Sequence, residues 1–339
     1  MRTVRLGKTE LTVSKNGFGA LPIQRISTSE AVYLLQKAFY NGFTYFDTAR
    51  WYTDSEEKLG EAFAHTRDRL VISTKTGAQN AADFWQDLET SLRNLKTDHV
   101  DIYQFHNPSF CPVPGGEDGL YDAALEAKKQ GKILHIGITN HRLAVAREAI
   151  ASGLYETLQF PFSYLAGEQE LDLVESCRKA DMGFIAMKGL SGGLITDSAA
   201  AYAFMTQFEN VAPIWGVQRE SELDEFISHG TDEPLLTEEM KAKIERDKKE
   251  LAGDFCRGCG YCLPCPQGIR INDCARMGLM LRRAPSAGWL TEQWKTEMKK
   301  IETCLNCGQC ASRCPYGLDT PALLKKNLED YRTNFCPDL

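Results

Sequence analysis

The chain has 339 residues, of which 43% are hydrophobic and 25% charged, so it is long enough to bury at least one large core. Its net charge of −7 argues against a general nucleic-acid binder. No stretch approaches the roughly 18 apolar residues that a membrane helix needs, and residues 1–13 lack the apolar region of a secretory signal. We therefore expect a cytoplasmic protein with no membrane span. Its twelve cysteines are then not expected to form disulfides, because the cytosol keeps thiols reduced.

Strand and helix patterns alternate up to about residue 230. A short hairpin is predicted from residues 2–6 and 11–13. The predicted strands that follow are 17–21, 43–46, 70–74, 100–105, 135–139, 157–161, 183–187 and 211–216. The predicted helices are 28–41, one that begins near 55, 82–95, 121–130, 143–152, 169–179, 198–207 and 221–228. Eight such units favour a (β/α)8 TIM barrel over an open doubly wound sheet, and no Gly-x-Gly-x-x-Gly follows the first strand.

Residues 42–63, GFTYFDTARWYTDSEEKLGEAF, contain the most informative of these units. They predict a buried strand, a loop and a helix that Ser55 caps, with Glu56 in its first turn. Asp47 then lies at the carboxyl end of the strand and Tyr52 on the loop just beyond it. A (β/α)8 barrel keeps its chemistry at that end of its strands.

Two further polar side chains end the next two strands. Lys75 lies in LVISTKTG and His106 in VDIYQFHNP. A tyrosine can donate a proton to a carbonyl oxygen as hydride arrives, a buried lysine ammonium paired with an aspartate lowers the tyrosine pKa, and a histidine can orient the carbonyl. The alternatives are a structural ion pair for Asp47 and Lys75 and an ordinary core histidine for His106.

These motifs, together with GKILHIGITNH and LQFPFSY, resemble the aldo-keto reductase superfamily over about residues 1–230. The resemblance implies a catalytic tetrad in which Tyr52 is the general acid. The tetrad residues are Asp47, Tyr52, Lys75 and His106. It also implies that NADP(H) or NAD(H) is bound, with the nicotinamide carboxamide held by Thr139, Asn140 and Gln159.

Two places depart from the pattern of that family. Met187 and Lys188 stand where many members stack an aromatic side chain on the nicotinamide ring, although methionine also packs on rings. Arg219 can grip a 2′-phosphate, but the neighbouring Glu220 and Glu222 would repel one. The preference between NADPH and NADH therefore stays open.

Ten of the twelve cysteines fall between Cys256 and Cys336. The run TCLNCGQCASRCPYGL has the Cys-x2-Cys-x2-Cys-x3-Cys-Pro spacing of bacterial ferredoxins, and DFCRGCGYCLPCPQGI is one residue shorter before its fourth cysteine. The candidate metal ligands are Cys256, Cys259, Cys262, Cys265, Cys304, Cys307, Cys310 and Cys314. Zinc is the alternative, but the third cysteine and the proline after each fourth favour two 4Fe–4S clusters.

This region resembles the two-cluster ferredoxin-like domain of a subgroup of aldo-keto reductases. The ferredoxin pattern implies crossed ligation, in which Cys314 joins the first run and Cys265 joins the second, but the shorter spacing of the first run leaves this assignment open. The expected domains are a barrel over 1–230, a linker with a charged helix (236–252) over 231–254, and a C-terminal ferredoxin-like iron–sulfur domain over 255–339.

The expected activity is reduction of an aldehyde or ketone; the expected substrate is a small-molecule carbonyl compound, and an external electron donor or acceptor is the candidate partner. Hydride transfer needs no one-electron carrier, so the two modules do not explain each other. The alternative is an iron–sulfur electron-transfer protein whose barrel binds a partner or substrate without nicotinamide hydride chemistry. Trp51 and Phe110 are candidates for an aromatic wall around the substrate, and the alternative is that they are packed anchors of their loops.

Overall fold

The structure is a computed structural model that describes residues 1–251, 253–283 and 286–339. Contacts between its Cα atoms divide the chain into two compact units. The first comprises Met1–Gly189 and Ser198–Thr237, and the second comprises Leu190–Asp197 and Glu238–Leu339. In the described part of the chain, no helix is both long and apolar enough to cross a bilayer.

The first unit begins with the predicted hairpin. Strands β1 (Thr3–Arg5) and β2 (Thr12–Ser14) pair antiparallel, which confirms that prediction. Val4 and Val13 are buried in one apolar cluster with Tyr45 and Ile102 of the strands described next. The hairpin therefore adds its apolar face to the interior of this unit.

Eight parallel strands of the described chain then close into a barrel in the order β10-β3-β4-β5-β6-β7-β8-β9. The strands are β3 (Gly17–Gly19), β4 (Tyr45–Asp47), β5 (Val71–Thr76), β6 (Val100–His106), β7 (Ile133–Thr139), β8 (Thr157–Pro161), β9 (Gly183–Met187) and β10 (Val211–Gly216). The helices that alternate with them are α1 (Thr28–Tyr40), α2 (Ser55–Phe63), α3 (Ala81–Leu95), α4 (Leu120–Lys129), α5 (Leu143–Ser152), α6 (Glu168–Lys179), α7 (Ser198–Met205) and α8 (Glu220–Thr231). The predicted (β/α)8 TIM barrel is confirmed.

Local sequence accounts for the start of helix α1. Ser27 accepts a hydrogen bond from the backbone N–H of Glu30, whose carboxylate in turn accepts from the backbone N–H of Ser27. This capping box satisfies two groups that the helix end would otherwise leave unpaired. The buried face of the helix carries Ala31, Leu34 and Leu35 at helical spacing.

The predicted cap of helix α2 is wrong. Asp54 occupies the N-cap position without a side-chain cap bond, and Ser55 is the first helical residue. The Ser55 hydroxyl is fully buried, accepts from Thr48 Oγ1 at 2.9 Å and donates to the Ala20 carbonyl at 2.9 Å. Its hydrogen bonds go to the neighbouring strand ends because no water reaches it there, so it joins those loops rather than capping the helix.

A glycine makes room for polar side chains inside the barrel. A Cβ atom at Gly137 in β7 would lie 2.3 Å from Thr157 Oγ1 and 2.9 Å from Gln104 Cγ. Any larger residue would displace those side chains, because real Cβ contacts are not that short. Gly137 therefore lets an interior layer form below the strand ends.

The second unit is helical over its described residues. Its helices are α9 (Glu238–Glu250), α10 (Ile271–Cys274), α11 (Met277–Arg283), α12 (Glu292–Lys299), α13 (Gln309–Ser312) and α14 (Thr320–Asn334). Helix α9 is the predicted charged helix, whose expected last residue, Ala252, lies outside the described residues. Arg283 anchors α9, because its guanidinium donates to Asp247 Oδ1 at 2.6 Å and pairs with Glu250.

Apolar side chains from several of these helices form one core. Its buried residues include Ile269, Ile271, Met277, Leu281, Met298, Ile301, Leu324, Leu328 and Tyr331. Cys256 and Cys310 are buried in the same cluster, and other cysteines of the two runs pack against it. The core therefore holds the cysteine loops against the helices.

Candidate active site and cysteine cavities

A buried ion pair joins two adjacent strands of the barrel. Asp47 is the last residue of β4, and Lys75 is next to last in β5. Lys75 Nζ donates to Asp47 Oδ2 and to the Thr48 carbonyl, each at 2.6 Å. Burial lowers the pKa of Lys75, and the Asp47 carboxylate opposes that shift by stabilising the ammonium.

Two residues that the sequence reasoning missed also bind Asp47. Ser73 Oγ donates to Asp47 Oδ1 at 2.6 Å, and Gln104 Nε2 lies 3.4 Å from the same oxygen. Both stand two positions before a predicted site residue, Lys75 or His106, on the same strand. Because strand side chains alternate between faces, that spacing places them on the same face and was the available signal.

Tyr52 and His106 complete the group. Lys75 Nζ lies 5.1 Å from the centroid of the Tyr52 ring, and the Tyr52 and His106 rings meet edge to face with centroids 5.9 Å apart. The structure thus brings all four predicted tetrad residues together. Their separate positions in the sequence, on three strand ends, converge because the strands are neighbours in the barrel.

His106 is held neutral. Burial lowers the pKa of its imidazole well below its ordinary value, and the positive charge of Lys75 adds to the shift. His106 Nδ1 is buried and has no hydrogen-bond partner among the described residues. A neutral imidazole with an available ring nitrogen can donate to or accept from a bound molecule, depending on its tautomer.

Trp51 lies beside this group. Its ring lies 4.8 Å from the His106 ring between centroids, and its side chain is 54% exposed. It packs over Gly77, where a Cβ atom would lie 1.8 Å from Trp51 Cζ2. The other predicted wall residue, Phe110, is also partly exposed.

The predicted carboxamide-binding residues lie at the same strand ends, but their amides already have protein partners. Asn140 Nδ2 donates to the Pro108 carbonyl at 2.8 Å, and its Oδ1 accepts from two backbone N–H groups, those of His141 and Arg142. Gln159 Oε1 accepts from Gln104 Nε2 at 2.9 Å. Asn140 therefore shapes the turn after β7. Thr139 ends that strand and is buried.

The remaining predicted nucleotide contacts follow β9 and β10. Met187 is the last residue of β9, and Lys188 follows it in a left-handed backbone conformation with φ of 62°. Arg219 stands at the N-cap of α8 and donates through Nε and Nη2 to Glu222 Oε1, at 2.9 and 2.6 Å. Glu222, which is predicted to repel a 2′-phosphate, thus forms an ion pair with Arg219. This pair is at the protein surface, where the Arg219 side chain is 75% exposed.

Two chemical features of the barrel site fit a nicotinamide and a carbonyl substrate. Gln104 Oε1 and His106 Nδ1 are buried polar atoms that lack partners among the described residues. Buried polar groups are almost always hydrogen-bonded, so such atoms at a strand end are suited to a bound ligand. The neutral amides of Asn140 and Gln159 lie at the same end of the barrel.

In the second unit, the cysteines surround two cavities. The first is lined by Cys256, Cys259, Cys262 and Cys314. The second is lined by Cys265, Cys304, Cys307 and Cys310, and Cys262 also reaches it. Within the described residues no three ligand-type side chains stand close enough to hold one metal ion; the cysteines are spread around cavities instead. Each cavity therefore has three cysteines of one run and at least one cysteine of the other, with Cys262 shared between the two.

The two cysteine loops repeat one backbone conformation. Gly258 and Asn306 both have positive φ, 65° and 52°, and the N–H of each donates to the sulfur two residues earlier, Cys256 or Cys304, at 3.4 Å. Backbone N–H groups aimed at sulfur stabilise a thiolate and tune iron–sulfur clusters. Four cysteines around a cavity and N–H groups directed at sulfur fit a 4Fe–4S cluster at each site.

Four cysteines lie outside these cavities. Cys111, Cys177, Cys274 and Cys336 are all buried. Cys274 and Cys336 of the second unit are therefore buried thiols outside both cysteine cavities.

A closed parallel barrel with a polar group at the carboxyl ends of its strands is the architecture of a (β/α)8-barrel enzyme. The chain belongs to the aldo/keto reductase family, whose model matches residues 15–210, and it is an oxidoreductase of this type. A second model, described as a 4Fe-4S dicluster domain, matches residues 255–319. The family resemblance and the two-module organisation are therefore confirmed.

Individual relatives agree with this assignment. The chain is 26% identical over 226 residues to the uncharacterized oxidoreductase YqkF of Bacillus subtilis, which covers 62% of this chain and 72% of that protein. It is 29% identical over 211 residues to L-galactose dehydrogenase of Arabidopsis thaliana, which covers 57% of this chain and 66% of that protein. A crystal structure of an aldo-keto reductase from Klebsiella pneumoniae in complex with NADPH superposes with a TM-score of 0.62 at 23% identity, over 72% of this chain and 94% of that one. The last likeness shows the fold alone.

Proposed function

We propose that this protein reduces an aldehyde or ketone with NADPH or NADH, with Tyr52 as the general acid. The observation that carries the proposal is the placement of Tyr52 between a lysine ammonium and a neutral histidine. Lys75 Nζ lies 5.1 Å from the Tyr52 ring, and the His106 ring meets it edge to face. Further support comes from the family assignment and from a neighbour of the same fold that was crystallised with NADPH.

The chemistry supplied by a bound nicotinamide is hydride donation to the carbonyl carbon. The Tyr52 hydroxyl donates its proton to the carbonyl oxygen, which becomes the alcohol. The phenolate that remains is stabilised by the adjacent Lys75 ammonium, and Asp47 keeps that ammonium charged and in place. The neutral imidazole of His106 orients the carbonyl through a ring nitrogen.

The nucleotide would be held by the residues at the same strand ends. We assign to it Thr139, Asn140, Gln159, Met187, Lys188 and Arg219. Arg219 already donates two hydrogen bonds to Glu222, so binding a 2′-phosphate requires it to give up that partner. We therefore place the discrimination between NADPH and NADH at the Arg219–Glu222 pair.

We further propose that the second unit holds two 4Fe–4S clusters for electron transfer or redox control. Cys256, Cys259, Cys262 and Cys314 would hold one, and Cys265, Cys304, Cys307 and Cys310 the other. The domain limits that we propose are 1–230 for the barrel, 231–254 for the linker and 255–339 for the cluster domain. An external electron donor or acceptor would serve these clusters.

The test is a screen of aldehydes and ketones for oxidation of NADPH and NADH by anaerobically purified protein. The Tyr52→Phe variant should lose roughly 10²–10⁴ in kcat and bind nicotinamide as the unmodified protein does, because only the proton donor is removed. Iron and sulfide analysis should give about eight irons per chain. Turnover that persists in Tyr52→Phe would refute the role of Tyr52. Reduced nucleotide that binds but is never oxidised by a carbonyl would favour the electron-transfer alternative.

A further inference from the structure

The two cysteine cavities differ in the charge of their walls. Arg257 lines the cavity of Cys256 and Cys314. Its guanidinium carbon lies 4.6 Å from the centroids of both the Phe255 and the Tyr316 rings, so two aromatic faces hold the cation in place. The described residues that line the other cavity carry no side chain of Lys, Arg, Asp or Glu.

A second arginine packs against the same loop from another element. Arg276 immediately precedes helix α11, and its Nη1 donates to the Gly192 carbonyl at 2.8 Å. A Cβ atom added to Gly258 would lie 2.6 Å from Arg276 Cζ. The guanidinium therefore lies directly against Gly258, the residue whose N–H donates to Cys256 Sγ. Only a glycine leaves that space, and its φ of 65° also favours glycine.

We propose that Arg276 selectively raises the reduction potential of the cluster held by Cys256, Cys259, Cys262 and Cys314. This inference rests on the proposed cluster assignment. Reduction adds one electron, supplied by an external reductant, and neither forms nor breaks a bond. A fixed cation beside the cluster stabilises the added negative charge and so favours the reduced form.

Solvent acts in the same direction at the other cavity. Leu305 is 64% exposed and Cys307 is exposed, whereas Cys256 is buried. Water around a cluster also stabilises added charge. Since the two effects favour different clusters, Arg276 alone does not decide which cluster has the higher potential. Its loss should lower the potential of the cluster beside it.

The test is an anaerobic redox titration followed by EPR, on the full-length protein with both clusters assembled. In Arg276→Gln, the ratio of reduced to oxidised cluster at a fixed potential should fall roughly tenfold for the couple of the Cys256 cavity. This corresponds to a fall of about 59 mV in its one-electron midpoint potential. The other couple should keep its midpoint. Arg276→Lys retains the charge and should recover most of the loss, which a purely structural role would not predict.

Arg282→Gln is the matched control. Arg282 lies in helix α11, six residues after Arg276, and its guanidinium is paired with Asp330 through two bonds of 2.6 Å. It lines neither cysteine cavity. Its loss removes one positive charge from the same unit and should move neither couple.

A ligand variant identifies the couples. Cys307→Ser alters the other cavity and should change the couple that Arg276→Gln leaves in place. If the Arg276→Gln protein does not assemble two clusters, the Arg257→Gln variant is measured instead. It must lower the midpoint potential of the couple that belongs to the Cys256 cavity. No shift, equal shifts of both couples, or a shift in the couple that Cys307→Ser changes would each overturn the inference. Protein that contains no iron would overturn the cluster assignment itself, and this inference with it.

Discussion

Lys75 Nζ and Asp47 Oδ2 lie 2.6 Å apart across the adjacent strands β4 and β5, and each side chain is almost completely buried, at 1% and 3% exposure. Each of these buried charges is stabilised by the other, because water does not reach the pair to replace a missing partner. The pair therefore stabilises the barrel and, under the proposed function, keeps a cation beside Tyr52.

Removing one member of this pair should destabilise the protein strongly. Lys75→Met should lower the free energy of unfolding by about 3–5 kcal/mol, because Asp47 is left as an uncompensated buried charge. The double variant with Asp47→Asn should lose less than the sum of the single variants, since the two residues share one interaction. Urea denaturation of the four proteins measures this coupling.

Glu61→Gln, which breaks the exposed pair with Lys96, should leave stability nearly unchanged. Additive losses would contradict a dependence of each charge on the other.

Gln104 should act as a positioning residue. Its Nε2 donates to Gln159 Oε1 at 2.9 Å and lies 3.4 Å from Asp47 Oδ1. Gln104→Leu leaves the buried Gln159 oxygen without its donor, which typically costs about 1–3 kcal/mol of stability. Because Gln159 then keeps only the 3.4 Å contact of its Nε2 with Asp47 Oδ2, it is held less firmly and nicotinamide affinity should fall more than kcat. Fluorescence titration of the bound nucleotide and steady-state kinetics separate these effects.

Thr157→Val is the control for that variant. Thr157 is buried in the same interior, but its Oγ1 has no hydrogen-bond partner among the described residues. Replacing the hydroxyl by a methyl group should therefore keep nucleotide affinity and should not reduce stability. A Gln104→Leu protein that matches Thr157→Val in both measurements would remove Gln104 from the positioning role.

His141 should make the protein sensitive to acid. Burial lowers the pKa of its imidazole to about 3, and the positive charges of Lys188 and Arg142 contribute. In the unfolded chain the pKa of histidine is about 6.5, so below that pH the unfolded state binds a proton that the folded state does not. The free energy of unfolding should therefore fall as pH drops from about 6.5 toward 3, by up to ~1.4 kcal/mol per pH unit from this group.

The measurement is the urea midpoint as a function of pH for His141→Gln and the unmodified protein. The variant should show the shallower decline below pH 6.5, because it lacks the group that the unfolded state protonates preferentially. His65→Gln, which removes an exposed imidazole, is the control for losing one histidine. Parallel pH curves for His141→Gln and the unmodified protein would show that the folded state accepts a proton at His141.

The cysteines should ligate across the two runs. The structure places Cys314 at the cavity of Cys256 and Cys259, and Cys265 at the other one. In EPR of the reduced protein, Cys314→Ser should therefore perturb the same cluster as Cys259→Ser and leave the cluster of Cys307 intact. Cys336→Ser is the control, because that buried cysteine lines neither cavity. Loss of one and the same cluster in Cys314→Ser and Cys307→Ser would establish local ligation instead.

Much of the barrel could be predicted from periodicity. Helix α5, strand β8 and strand β9 begin and end at the predicted residues, because turns mark the limits of the apolar pattern of each element. The cap of α2 could not be predicted. Ser55 satisfies the usual N-cap preference, but its burial decides where its hydroxyl finds partners.

The candidate site could likewise be predicted only in part. The four tetrad residues lie at or next to the carboxyl ends of neighbouring strands, so they come together once the barrel closes. Ser73 and Gln104 lie in the same strand motifs as Lys75 and His106, and strand alternation puts them on the same face, but their contacts with Asp47 are known only from the structure.

The sequence by itself determined the two modules, the strand ends that carry polar residues and the two cysteine runs. These properties depend on local spacing, which a linear pattern records directly. Tertiary structure alone decided which groups share an environment. Within the described residues, it placed Gln104 Nε2 3.4 Å from Asp47 Oδ1, left His106 Nδ1 without a hydrogen-bond partner and set Arg276 against Gly258. The physical reason is that hydrogen bonding, desolvation and Coulomb interactions act over distances of a few ångströms in space, and the chain brings those groups together from positions far apart in sequence.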